Sequence, residues 1–400
     1  MAGTEYTRDQ VAENNSDDSL WMVVDAKVYD LTDFLDAHPG GSAVLLQVAG
    51  TDATAAFYNL HRHEVIQKYS SLCIGTIKGE QSQVVERKPG ELSIVPYAEP
   101  MWLTPKFKTP YFTESHRRLQ KEMRTFVDKY VYPEAQEKEL SGEWISDELI
   151  KRMANTNILA MRLGPGQHLK GRNLLNGSVK PEEYNYFHEL IVIQEMIRQS
   201  ARGFQDGNMA GLVIGLPAIM NYGQKSLKDN IINSVLAGNK KLCLAITEAF
   251  AGSDVAGLRT VAKKTRDGKH YIVNGHKKWI TNGTWCDYFV TGVNTGNGLS
   301  MLLIERGEGV ETKPIKTSYS AAAGTAYVQF DNVKVPAENL LGEENKGLQV
   351  ILSNFNHERW MMAAASVQAS RAVVEDCLKW CNQRIVFGKK LVEQPAIRQK

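Results

Sequence analysis

No stretch of this 400-residue sequence approaches the roughly 18 uninterrupted apolar residues that a membrane-crossing helix needs. The first twenty residues are polar throughout, without the apolar core of a secretory leader. Cysteine is scarce: Cys73, Cys243, Cys286, Cys377 and Cys381 form no CxxC pair and no metal-finger spacing, and an odd count argues against a disulfide framework. Reduced thiols and a soluble intracellular protein follow, cytoplasmic or peroxisomal, although the closing AIRQK is not a peroxisomal tripeptide. Charge of one sign is also missing. The 47 basic and 45 acidic side chains are mixed along the chain and leave a net +2, which gives no broad attraction for nucleic acid or membrane lipid. Small-molecule chemistry is the better expectation, on a chain long enough for two to three domains.

Only 13 prolines are present, and five of them (Pro89, Pro96, Pro100, Pro105, Pro110) fall in one short region. That region, 81–110, reads as an extended linker. Before it, residues 4–80 alternate short strand and helix patterns, a dense α+β unit. After it, 111–240 has helical spacing; in PEEYNYFHELIVIQEMIRQS, Pro181 suits a first turn and Tyr186, Leu190, Ile193 and Ile197 share one face. Over 241–345 the period changes to two, with YIVNG, KKWITNG, YFVTGV, LSMLLIERG and TAYVQFDNVKVP separated by turn signals, which predicts a β-barrel or sandwich domain. From 346 to 400 the pattern is helical again.

In FLDAHPGGSAVL, Pro39 stiffens the backbone after His38, while Gly40 and Gly41 leave space beside it and permit unusual backbone angles. His61, in FYNLHRHEVIQKY, is a candidate partner across a segment able to form two helices. Two neutral imidazoles on opposite sides of a haem would saturate its iron, giving an electron-transfer site with no open position. A lone histidine is more often structural, so the surrounding sequence decides. YTRDQVAENNSDDSLWMVVDAKVYDLTDFLDAHPGG and AGTDATAAFYNLH resemble a cytochrome b5-type haem domain over its full length. The resemblance implies haem b held by His38 and His61, with Phe34, Leu45 and Phe57 as pocket walls and His63 as the rival second ligand.

LCLAITEAFAGSDVAGLRTVA begins as a strand and breaks into a small-residue loop whose exposed amides and hydroxyls suit a phosphate or the polar edge of a flat ring. Further on, the period-two rule puts Trp279 and Thr281 of KKWITNG on one strand face. The plainer reading is a hairpin with Trp279 in the core. Together with the order of helices, β-domain and helices, and with RIVFGKKLVEQPAI, these runs resemble the acyl-CoA dehydrogenase flavoproteins from about residue 105 to the end. The resemblance implies FAD, with Leu244, Ile246 and Thr247 lining its ring system, Ser253 meeting the diphosphate, Trp279 covering the flavin and Thr281 bonding near N5. It also implies that Arg384 and Phe387 reach the FAD of a neighbouring subunit, hence a homodimer or homotetramer.

The implied reaction removes a proton next to the thioester carbonyl of an acyl-CoA while a hydride leaves the next carbon. It needs a carboxylate raised by burial. Glu358 in NFNHERW lies among Phe355, Trp360, Met361 and Met362 and is followed by Arg359. Adjacent Glu and Arg on a helix are usually a solvated pair. The resemblance makes Glu358 the base and gives Arg359 the positioning of that base or of the CoA arm. It also implies a longer closing helical domain than the sequence carries. The preferred reading is therefore an FAD-dependent acyl-CoA oxidoreductase with a tethered haem as possible electron acceptor, alongside a possible external one. The alternative is a haem-binding electron carrier whose truncated flavin domain is inactive.

Overall fold

The computed structural model describes residues 4–84, 87–198 and 200–399; Lys400, the last residue of the expected closing domain, lies outside them. The chain forms two compact units. The smaller comprises residues 1–88, 93–99 and 373–400, and the larger comprises 89–92 and 100–372.

In the smaller unit, Trp21–Val24 and Lys27–Asp30 form a hairpin, and the sheet is extended by Cys73–Ile77 and, parallel to it, Thr4–Tyr6. The turn residues Asp25 and Ala26 both have positive φ, at 54° and 63°, the geometry that matches strand twist in a two-residue loop. This exposes the Asp25 carboxylate to the chain beyond the sheet. It accepts the amides of Gln83 at 2.6 Å and Val84 at 3.2 Å and the Ser82 hydroxyl. Short helices Ser42–Leu46, Thr54–Leu60 and His63–Lys68 cover an apolar cluster that includes Leu20, Tyr29, Leu31, Leu45 and Ile66.

The segment 81–110 is therefore not a solvated tether throughout. Its start is pinned to Asp25, and its far end buries Trp102 and Leu103 in the core of the larger unit, Trp102 stacking on Phe112 at 4.3 Å between ring centres.

The larger unit begins with helices that include Glu114–Phe126, Asp147–Asn155, Tyr186–Ile197 and Lys225–Leu236. The third starts at Tyr186 with Asn185 as its cap, not near Pro181, and it buries most of its circumference. Tyr186 itself is exposed, so the expected single face Tyr186–Leu190–Ile193–Ile197 is too narrow a description. Its Glu195 receives a two-pronged bond from Arg124 of the first helix, at 2.9 and 2.7 Å, with both side chains buried.

Two histidines lock the starts of these same helices. The Thr113 and Asn185 amides donate to Nδ1 of His116 and His188, which leaves Nε2–H on each ring to bond Asn185 and Ser115. The rings stack at 3.6 Å. A proton on either Nδ1 would break a capping bond and put a charge into a buried stack. Burial, then the neighbouring His116, pulls His188 down to about 3. Its folded-state value lies below the ordinary 6.5, so the stabilisation is complete above about pH 6.5 and is lost as pH falls from there toward about 3. Urea midpoints should drop across that range, and His188→Gln should flatten the drop. Glu189, raised by burial, acts in the opposite sense and is common to both proteins.

The β-region is one eight-stranded sheet. Its main path runs Val310–Pro314, Ala326–Pro336, His270–Ile280, Val261–Lys264, Tyr288–Asn294, Leu299–Glu305, Leu340–Leu341, with Leu242–Ala245 parallel to Tyr288–Asn294. Central strands are buried on both faces: Phe289, Leu302 and Ile304 fill the sheet's own core, while Val290, Met301 and Leu303 face the core shared with the helices. Helical residues 202–222 cross Leu242–Ala245 at backbone range. A Cβ on Gly211 would lie 2.0 Å from the Leu242 carbonyl oxygen, so only glycine permits the approach. The chain then re-enters helix at Gly347–Leu352 and continues into the 29-residue helix Phe355–Gln383.

Candidate functional sites

In the smaller unit, Gly41 (φ 83°) precedes the helix Ser42–Leu46, and its carbonyl takes a bond from His38 Nδ1 at 3.0 Å. That bond fixes the proton on Nδ1 and leaves the Nε2 lone pair for a metal. Gly40 makes room for the ring, because a Cβ there would sit 2.7 Å from His38 Cε1. His61 follows the helix Thr54–Leu60, its ring stacked on Phe57 at 4.7 Å and its buried Nδ1 without a hydrogen-bond partner.

The His38 and His61 ring centres are 6.1 Å apart. An ion midway would lie about 3 Å from each centre, which suits imidazoles bonded at about 2 Å. Leu45 is buried, while Phe34 and Phe57 pack at the edge of the same cluster. These residues fit a haem. His63 has its Nδ1 on the Tyr58 hydroxyl at 2.9 Å.

In the larger unit, the strand Leu242–Ala245 delivers Leu244, Ile246 and Thr247 to the start of the small-residue loop. Ser253 is exposed, and Gly252 has open space where a Cβ would stand. The loop is tied to KKWITNG by the bond from Lys278 N–H to the Thr247 carbonyl, 2.9 Å. Beneath it lies a buried ion pair. Lys277 Nζ reaches Glu248 Oε1 at 2.8 Å and the Ile246 carbonyl at 3.0 Å, while Glu248 also takes the Arg259 and Thr260 amides and the Thr260 hydroxyl. Burial pulls the ammonium down to about 8 despite its partner. Burial alone would raise Glu248, but its hydrogen bonds, led by Lys277, hold it below the usual carboxylate range. One signal was available: the inward alternation Tyr271, Val273 leads to Lys277, and an inward charge requires a partner.

Trp279 is not in the core; it is 53% exposed. Nor does simple alternation aim it beside Thr281. The strand ends at Ile280, the register against Ala326–Pro336 slips at this point, and Trp279 has φ 65°. A bulge with left-handed backbone presents the indole, and Thr281 lies in the turn beyond. Asn282, whose partner no sequence motif announces, has a buried amide that bonds the Gly207 carbonyl at 2.7 Å and so joins the turn to a helix. An exposed indole beside an open glycine loop with free hydroxyls fits an FAD-sized aromatic ligand.

Glu358 and Leu244 line one small cavity with Ile214, Met301, Asn354 and Phe355. Burial raises the Glu358 carboxyl and neighbouring Arg359 opposes this only in part. Arg359 is exposed, its guanidinium over the Phe355 ring at 5.4 Å. Arg384 and Phe387 belong to the smaller unit: Arg384 bonds the Asn59 carbonyl, and Phe387 is exposed with φ 51°.

Family comparisons follow the order of the chain, and the last match crosses from the larger unit into the smaller one at residue 373. Residues 7–78 match the cytochrome b5-like haem/steroid-binding domain, and 113–239, 243–333 and 345–400 match the N-terminal, middle and C-terminal domains of acyl-CoA dehydrogenase. The acyl-CoA dehydrogenase apdG of Emericella nidulans is 40% identical over 321 residues, covering 78% of this chain and 73% of that protein. The chain is a member of the acyl-CoA dehydrogenase family. The glutaryl-CoA dehydrogenase of Desulfococcus multivorans is 31% identical, covering 68% of this chain and 69% of its own. Among solved structures, an acyl-CoA dehydrogenase complexed with FAD from Bacillus anthracis superposes with a TM-score of 0.64 at 26% identity, over 73% of this chain and 49% of that one. This dehydrogenase is thus a flavoprotein oxidoreductase acting on CH–CH groups, with FAD and a haem-binding domain as its cofactor modules. Among the described residues no helix is long and apolar enough to cross a membrane.

Proposed function

We propose that Glu358 is the base that removes the proton next to the thioester carbonyl of an acyl-CoA, while the hydride on the following carbon leaves toward FAD. The observation that carries this reading is the shared cavity: Glu358 faces the same space as Leu244, at the end of the strand leading into the flavin loop, and burial keeps its proton affinity above that of an ordinary glutamate. FAD, when bound, supplies the hydride acceptor. Leu244, Ile246 and Thr247 would line its ring system, Ser253 would meet the diphosphate, Trp279 would cover the ring and Thr281 would hydrogen-bond near N5. Arg359, charged and outside the cavity, suits the phosphate-bearing CoA arm or the orientation of the base. In a dimer or tetramer, exposed Phe387 suits contact with a neighbouring subunit's FAD; Arg384 would have to leave the Asn59 carbonyl to join it.

His38 and His61 would hold the haem iron. Their spacing and the fixed tautomer of His38 support the assignment, and saturation of both faces suits electron transfer without oxygen binding. A haem, when bound, supplies a one-electron acceptor for the reducing equivalents taken from substrate. The test is anaerobic mixing of the intact protein with a panel of acyl-CoAs while the flavin and haem bands are recorded. Flavin bleaching followed by reduced-haem absorption is expected. Bleaching alone would remove the haem from the electron path, and no bleaching with any acyl-CoA would overturn the dehydrogenase reading.

A further inference from the structure

The helix Thr54–Leu60 ends one residue before His61, and the last carbonyls of any helix lack partners within it. Here those carbonyls are met from the far end of the chain. The Gln383 side-chain amide donates to the Tyr58 carbonyl and, at 2.5 Å, to the His61 carbonyl. Arg384 donates to the Asn59 carbonyl, and the Ile385 amide donates to Asn59 Oδ1 at 2.9 Å. Arg62, directly after His61, pairs with Asp376 at 2.9 Å. A guanidinium at the negative end of a helix adds favourable charge to the bonds themselves. Residues 373–400 cluster with the haem-domain residues and not with the 100–372 body, whereas the cytochrome b5-like match ends at 78.

We propose that the segment Asp376–Ile385 is a working part of the haem site, with Gln383 and Arg384 as positioning residues that hold the backbone of His61. His61 has no side-chain hydrogen bond to orient its ring: its Nδ1 is buried and unpaired. Its direction is therefore set by Phe57 stacking on one side and by the anchored carbonyl on the other. Releasing that carbonyl frees the ring to swing away from His38. The contact also commits Arg384 to the haem domain, a different use of that guanidinium from contact with a neighbouring flavin.

The inference rests on the assignment of His61 as a ligand. The test uses the full chain bearing Gln383→Ala with Arg384→Ala. Haem transfer to an excess of apomyoglobin should speed up by about tenfold or more, the scale on which groups that orient a metal ligand alter metal affinity. In the haem-free protein, amide hydrogen exchange over 54–62 should accelerate. As an independent arm, Asp376→Arg and Arg62→Asp should each speed haem loss, and the two together should restore it. Haem loss and exchange within twofold of the parent in all variants would overturn the proposal. His61→Ala separates the two levels: if it retains a six-coordinate low-spin spectrum, the ligand assignment fails, whereas if it loses that spectrum while the Gln383/Arg384 pair has no effect, only the positioning role fails.

Discussion

Replacing Glu358 by Gln should reduce the rate of flavin bleaching by acyl-CoA by about 10² to 10⁴, the usual contribution of a positioned general base, while FAD stays bound. The side chain keeps its size, so the apolar lining of the cavity survives and the loss reports proton abstraction alone. Single-turnover stopped-flow measurement separates this from slow product release. Because burial raises the Glu358 carboxyl, the rising limb of kcat/KM against pH should lie above the ordinary glutamate range in the parent and disappear in the variant. A variant that bleaches flavin within threefold of the parent, with the same limb, would transfer the role to another group.

Lys277→Met should be the most damaging change to stability. It removes the cation from Glu248 and leaves a carboxylate in a site that excludes water, at a cost of about 3 to 5 kcal/mol. The methylene stem is preserved, so little of the loss comes from packing. Glu248 spans both ends of the small-residue loop through Arg259 and Thr260, so, with that loop as the proposed FAD site, FAD affinity should fall along with the denaturation midpoint. Lys277→Met combined with Glu248→Gln should recover part of the stability, since a neutral amide is cheaper to bury than an unpaired charge. If the single variant melts with the parent, the pair does not organise the loop.

The sequence shows the local motifs better than the groups that support them. TEAFAGSD, WITNG and the His-Pro-Gly-Gly turn are contiguous, and their residue types report local backbone needs. Glu248 and Lys277, Asn282 and Gly207, or His61 and Gln383 are partners only after the chain has returned on itself, and no periodicity announces them. Lys277 at an inward strand position and Asp25 in a hairpin turn were visible, yet neither names its counterpart. Trp279 shows another limit. Alternation assumes a regular strand, and a bulge with left-handed backbone re-aims the residue that matters. The region 81–110 looked like a tether because prolines break periodicity, but Trp102 and Leu103 supply enough apolar surface to bury its far end.

Gly211 lets a helix touch the strand that carries Leu244, and the same helical stretch bears Ile214 and Ala218, which line the small cavity with Leu244 and Glu358. With main chain against main chain there is no slack to slide one past the other, so the span from this helix to the strand works as a fixed gauge. If the cavity takes the acyl tail as proposed, a change in preferred tail length has to come from trimming or enlarging the side chains that line it, which makes Ile214 and Ala218 the first positions to vary.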